Sequence, residues 1–272
     1  MLALSMVISF GDAANAADTL KKARKQGFIR VGFANEAPFG YATTSGKLTG
    51  EAPEIAKIIF RKLGIPEVDG VLTEWGGLIP GLKAGRFDVI AAGMFITPKR
   101  CREVAFSEPT YTLGQAFLVR AGNPKNLHSY DDAAKNPDVK LGVLSGAVEV
   151  GYARIAGIPD ERIVGLPDQG SMLAAVRSGR VDAAALTALS IQNMAEKGGE
   201  AVERAHPFTT LPEAMGSGGF AFRKKDKALL KAFNRELKQF IGTKAHLDLV
   251  GPFGFTEAEL PQKTAAECCA SK

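Results

Sequence analysis

The chain carries one phrase twice. Leu82-Lys83-Ala84-Gly85-Arg86-Phe87-Asp88-Val89-Ile90-Ala91-Ala92 is echoed by Val176-Arg177-Ser178-Gly179-Arg180-Val181-Asp182-Ala183-Ala184-Ala185. Each copy runs from an apolar helical stretch to Gly-Arg-x-Asp, then into small or β-branched residues. Asp88 and Asp182 lie 94 residues apart, the span of a small domain. The echo therefore predicts two similar α/β lobes in one polypeptide, and two lobes enclose a cleft suited to a small ligand.

The intervening segments fit that plan. Ile29–Ala34 reads as a strand, broken by Pro38 and Gly40. Apolar residues at helical spacing (Ile55, Ile58, Ile59, Leu63) mark a helix that Gly64 stops. Strands over Val68–Thr73 and Phe87–Ala92 flank a helix at Leu78–Ala84. Strand–helix alternation predicts parallel pairing with right-handed crossovers. Val139–Leu144 opens a second unit, completed by a helix from Glu149, a strand at Ile163–Leu166, a helix at Ser171–Ser178 and a strand at Val181–Leu186. Phe117–Arg120 leaves the first unit and Gly219–Phe222 returns to it. The expected layout is one lobe from 17–119 plus 222–272 and another from 120–221. Two crossings make a hinge, which permits closure around a ligand.

A length of 272 residues accommodates two modest cores. No stretch of about 18 apolar residues predicts a membrane span. Residues 1–16 read as an export signal, with an apolar run at Leu2–Phe10 and a small-x-small site at Ala14-Asn15-Ala16, though no Lys or Arg precedes the run. Cleavage there removes Asp12 and moves the net charge from +5 to +6. The basic residues are dispersed, without the aromatic interleaving of single-strand binders, so no nucleic-acid partner is expected. Three cysteines exclude a complete disulfide framework. In an exported chain Cys101 can bridge to either Cys268 or Cys269. His128, His206 and His246 are isolated, and no metal or cofactor is expected.

Ligands of open α/β sheets bind beyond the carboxyl ends of the strands. The loops there carry Glu36 and Phe39, then Trp75, then Phe95, Thr97 and Arg100. In the second lobe they carry Gly146, Ala147 and Val148, and finally Thr187. Arg100 suits a carboxylate, gripped through two parallel N–H bonds. Amides near Gly146–Val148, at a helix start, favour the same anion. Phe39, Trp75 and Phe95 can box a cation, which Glu36 neutralises. Taken singly, each residue has a plainer reading: Phe39 and Phe95 as core, Arg100 as a surface charge beside Lys99 and Arg102, Glu36 as a solvated acid. Their joint place on strand-end loops argues for a site.

Several motifs resemble bacterial extracellular solute-binding proteins of the polar amino acid class, components of ABC transporters. They are Glu36-Ala37-Pro38-Phe39, Gly50-Glu51-Ala52-Pro53-Glu54-Ile55-Ala56, Glu74-Trp75-Gly76-Gly77-Leu78-Ile79-Pro80-Gly81-Leu82, Gly93-Met94-Phe95-Ile96-Thr97-Pro98-Lys99-Arg100 and Phe106-Ser107-Glu108-Pro109. The resemblance covers about Ala17–Lys263. It implies a type II periplasmic-binding-protein fold, with two α/β lobes joined by two hinge strands. It further implies a monomer in the periplasm that hands a small ligand to permease subunits.

Departures from the family pattern bear on the ligand. Amino acid binders usually place Ser at Phe95, Asp near Thr187 and Thr hydroxyls near Ala147-Val148. Their absence implies a ligand that keeps a carboxylate but lacks a free α-ammonium. Glu36, Phe39, Trp75, Phe95 and Arg100 resemble the ectoine/hydroxyectoine-binding subgroup. Ectoine is a cyclic amidinium carboxylate. The alternatives are a polar amino acid or betaine binder, and a periplasmic dehydratase of the same fold with Glu36 as acid–base group. Against an enzyme, no nucleophile–base pair or phosphate loop is present.

Overall fold

The computed structural model describes residues 19–270. The expected export segment lies outside them. A first run comprises α1 (Thr19–Gln26), β1 (Phe28–Phe33), a ribbon of β2 (Tyr41–Ala42) and β3 (Leu48–Thr49), and α2 (Glu51–Lys62). It continues through β4 (Glu67–Leu72), α3 (Leu78–Lys83), β5 (Val89–Phe95), α4 (Pro98–Cys101), β6 (Ala105–Phe106) and β7 (Tyr111–Leu113). A second run comprises β8 (Gln115–Arg120), α5 (Tyr130–Lys135), β9 (Leu141–Leu144), α6 (Glu149–Ile155), β10 (Ile163–Leu166), α7 (Gln169–Arg177), β11 (Ala183–Thr187), α8 (Ala188–Gly198) and β12 (Val202–Arg204). The chain then returns through β13 (Gly216–Phe222), α9 (Lys227–Phe240), α10 (Lys244–Val250) and α11 (Ala265–Ala270).

Two sheets result. The first has the order β4-β1-β5-β13-β6, with β7 also on β13, and the second β10-β9-β11-β8-β12. In each, the three strands linked by helices are parallel. β13 and β8, which arrive from the other lobe, are antiparallel to their neighbours. The crossings fall earlier than the expected boundaries at 119/120 and 221/222. Gln115–Arg120 pairs wholly in the second sheet, and Gly216–Phe222 wholly in the first. The turn between sheets is at Gly114, where a Cβ would stand 2.7 Å from Thr210 Oγ1. That hydroxyl accepts from the Gln115 N–H and donates to the Gln115 carbonyl, joining the two connecting segments.

The echoed phrase is an architectural device. Gly85 (φ +75°) and Gly179 (φ +72°) end α3 and α7 in the left-handed conformation that glycine adopts without strain. Asp88 and Asp182 then do the same work in each lobe. The Asp88 carboxylate accepts from the Arg30 N–H (3.3 Å), and Asp182 from the Lys140 N–H (2.9 Å). Each aspartate's own N–H donates back to that same residue's carbonyl. Both devices sit at the amino ends of the parallel strands, opposite the ends that face the cleft.

β5 is buried at every position, as expected of a central strand covered on both faces. α2 buries Ile55, Ile59 and Phe60 against the first sheet, and α9 adds Leu229, Phe233 and Leu237 to the same core. A second apolar cluster spans both lobes, from Leu78, Leu82 and Ile90 to Leu144, Leu186 and Ile191. Cys101 on α4 is bonded to Cys269 on α11, and Cys268 is free and buried. Among the described residues no helix is long and apolar enough to cross a membrane.

Candidate functional site

The loop after β1 is built around Asn35 (φ 53°) and a bridge between Glu36 and Gly40. It is stitched to α2. The Glu51 and Ala52 N–H groups, unpartnered donors of a helix start, donate to the Pro38 and Phe39 carbonyls. Gly50 is required there: a Cβ would stand 2.6 Å from the Phe39 carbonyl oxygen. This stitching fixes Glu36 at the cleft.

A cavity lies between the lobes, with about 270 Å³ of non-atom space, lined by Glu36, Trp75, Gly93, Phe95, Arg100, Ala147, Val148, Glu149, Leu186 and Thr187. Seven of the ten sequence-predicted residues line it: Glu36, Trp75, Phe95, Arg100, Ala147, Val148 and Thr187.

Arg100 is buried on α4, and its Nη1 donates to the Phe95 carbonyl (2.9 Å). Its guanidinium lies 5.6 Å from the Trp75 ring centroid, so that ring carries the protein's own cation. Burial pushes the Arg100 pKa down, against the opposing pull of Glu149 and Glu36. Yet no ion pair joins Arg100 to either acid among the described residues. Glu36 Oε1 accepts from the Ser190 hydroxyl (2.9 Å), and Oε2 has no hydrogen bond among the described residues. Burial, reinforced by the charge of Glu149, pushes the Glu36 carboxyl up to about 8. Burial likewise raises Glu149 to about 7, opposed by its own backbone N–H, Arg100 and the approaching Gln115 amide.

Three predicted residues stand elsewhere. Phe39 is core: its ring packs on Tyr111 (5.0 Å) and Phe255 (5.6 Å). It slots behind β5 because Gly93 has no Cβ, which would stand 2.3 Å from the ring. Thr97 caps α4, its hydroxyl accepting from the Arg100 N–H (3.3 Å). Gly146 (φ +81°) meets the opposite lobe, where its Cβ would lie 3.1 Å from the Gly76 Cα. Of the expected amide cradle, the Ala147 N–H donates to the Leu144 carbonyl, and the Glu149 carboxylate stands at the same helix start.

Sequence reasoning missed Glu149, Ser190 and Gln169. Glu149 directly follows the Ala147-Val148 pair that was read. Ser190 and Gln169 begin helices beyond β11 and β10, so the strand-end rule applied to every strand would have reached them.

Residues 29–247 match the family of bacterial extracellular solute-binding proteins, family 3. A probable amino-acid ABC transporter periplasmic-binding protein of Sinorhizobium fredii is 37% identical, covering 99% of this chain and 91% of that protein. The crystal structure of EhuB in complex with hydroxyectoine is 39% identical with a TM-score of 0.87, covering 94% of this chain and 99% of EhuB. The ancestral amino acid-binding protein AncCDT-1, a precursor of cyclohexadienyl dehydratase, is 31% identical with a TM-score of 0.76, covering 86% of this chain and 99% of that chain. The two lobes have the type II periplasmic-binding-protein architecture, and the chain belongs to family 3 of the bacterial extracellular solute-binding proteins, the substrate-binding components of amino-acid-type ABC importers.

Proposed function

We propose that the chain captures ectoine or hydroxyectoine by lobe closure and delivers it to a permease, working as an exported periplasmic monomer. One observation carries the reading: Arg100 faces the same cavity as Glu36 and Glu149 without pairing with either. A zwitterion bridges that gap. Its carboxylate takes the free edge of Arg100, and its amidinium N–H groups take Glu36 Oε2 and Glu149. Trp75 and Phe95 cover its ring, and Ala147, Val148 and Leu186 supply apolar contact from the second lobe. The likeness to EhuB supports this ligand class. Closure is driven by the ligand's higher affinity for the closed state, in which both lobes touch it.

Calorimetry with ectoine, hydroxyectoine, glycine betaine, proline and arginine tests the reading. Binding of ectoine or hydroxyectoine below about 100 μM, tighter than the rest, is expected. Its absence overturns the proposal. The charge count favours one second reading. Two acids and one arginine leave a net negative site when both acids ionise, which suits an amino acid of net charge +1. Tighter binding of arginine than of ectoine supports that alternative. The site is read as binding without turnover, and ectoine recovered chemically altered after long incubation would refute that.

A further inference from the structure

The site loop is clasped from the opposite lobe by residues that leave the ligand cavity free. The Gln169 side chain, at the start of α7, makes two buried hydrogen bonds to Ala37. Its Nε2 donates to the Ala37 carbonyl (2.8 Å), and its Oε1 accepts from the Ala37 N–H (3.1 Å). One amide thus satisfies both backbone groups of one residue, as a neighbouring strand would. Ser190, at the start of α8, donates to Glu36 Oε1 (2.9 Å) and lies within bonding distance of the Ala37 carbonyl (3.1 Å). The single Ser190 proton serves one of these two acceptors at a time, while Gln169 Nε2 satisfies the Ala37 carbonyl throughout. Gln169 and Ser190 belong to the second lobe, Glu36 and Ala37 to the first.

The consequence follows from what closure does to Ala37. In an open molecule its N–H and C=O face water. Closing the lobes buries them, and a buried backbone group without a partner is strongly disfavoured. Gln169 converts that penalty into two bonds made entirely between protein groups. Gln169 itself does not line the cavity, so its contribution is independent of which ligand is bound.

We infer that Gln169 is a positioning residue that latches the closed state, setting how long the ligand stays and how far the ligand-free protein closes. The latch rests on the reading of the chain as a closing binding protein, and not on the identity of the ligand. Ser190 fixes which Glu36 oxygen faces the cavity, and Gln169 holds the segment in which Glu36 sits.

Trp75 is the single tryptophan and lines the cavity, so its fluorescence reports occupancy. The test compares wild type with Gln169→Ala and Gln169→Glu, the latter keeping an acceptor and losing the donor. Stopped-flow fluorescence with ectoine as probe should show dissociation faster by roughly tenfold in Gln169→Ala, with association changed less than twofold. Small-angle scattering of the ligand-free proteins should show a larger radius of gyration in both variants. A residue that only stabilised α7 would lower the thermal midpoint and leave dissociation unchanged. If wild type fails to bind ectoine, the ligand proposal falls while scattering still decides the latch. Unchanged dissociation, or unchanged scattering where ectoine does not bind, overturns it.

Discussion

Replacing Glu36 by Gln separates the cost of a buried carboxylate from its use. The wild-type carboxyl titrates near 8 in the folded protein and near 4.5 when unfolded, chiefly because burial disfavours its charge. The sign follows from proton counting. Between those values the folded state holds a proton that the unfolded chain has released, so stability falls as pH rises. At about 1.4 kcal/mol per pH unit, the window from pH 5 to 8 costs the ligand-free protein up to ~4 kcal/mol through this one group. Glu149 and Glu51, each raised to about 7 by burial, add to the decline in wild type and variant alike. Glu36→Gln keeps an acceptor for Ser190 and removes the titration. Its thermal midpoint should therefore fall less with pH, by roughly 10 °C over that window at 2–4 °C per kcal/mol. A ligand with a cationic group reverses the trend, because that group pairs with the ionised carboxylate: affinity for ectoine should rise with pH up to about 8 in wild type and rise less steeply in the variant. Differential scanning calorimetry in matched buffers gives the first result, and isothermal titration gives the second. Parallel midpoint curves for wild type and variant between pH 5 and 8 would refute the account of Glu36 as a carboxyl kept neutral by burial.

Three further substitutions probe distinct parts of the structure. Arg100→Ala should weaken binding by at least about 2 kcal/mol, near thirtyfold, because a buried ligand carboxylate loses its partner; near-normal affinity by calorimetry would refute the anion role. Gly146→Ala introduces a side chain at φ +81° and a Cβ 3.1 Å from Gly76, so it should obstruct closure and reduce affinity about tenfold without touching the ligand; equal affinity would show that these two loops part in the bound state. Cys101→Ser opens a crosslink spanning 168 residues and frees α11 from α4, and denaturant unfolding should show a loss of about 2–5 kcal/mol; an unchanged midpoint would mean that the tail contributes no stability.

Much of the architecture was legible because it rests on local signals. Helix spacing, glycine stops and apolar runs placed the strand–helix alternation of both lobes, and the parallel pairing followed. The crossings were misplaced because a hinge strand reads the same whichever sheet it joins; only the pairing of Gln115–Arg120 with Ala183–Thr187 assigns it. The lining of the cavity was legible where residue type and strand end coincide, as at Glu36, Trp75, Phe95 and Arg100. Residues whose side chains are used locally stand apart from that lining. The Thr97 hydroxyl caps a helix, and the Phe39 ring fills the space left by a glycine 54 positions away. Gln169 and Ser190 stand beyond strand ends and so were within reach of the strand-end rule, but their partners lie 132 and 154 residues away and no local spacing names them.

The repeated phrase explains why the two lobes could diverge at the cleft without losing their fold. Its glycines and aspartates secure the amino ends of the parallel strands, through helix termination and strand-to-strand bonds that use no cleft residue. The carboxyl ends are then free to differ, and they do. β5 ends on Phe95, and beyond it the chain presents Arg100 on a one-turn helix. Beyond β11 it passes from Thr187 directly into α8, which brings Ser190 to Glu36. The first lobe therefore contributes the cation, the aromatic rings and one acid, while the second contributes the other acid and the latch. A ligand held by only one lobe would meet either Arg100 or Glu149, never both. The first lobe alone offers Arg100 to a carboxylate and Glu36 to a cation; closure adds Glu149 and brings the latch to Ala37 in the same movement. Under the proposed reading recognition and capture are coupled, because Glu149 and the Gln169 latch reach the first lobe in one closing movement.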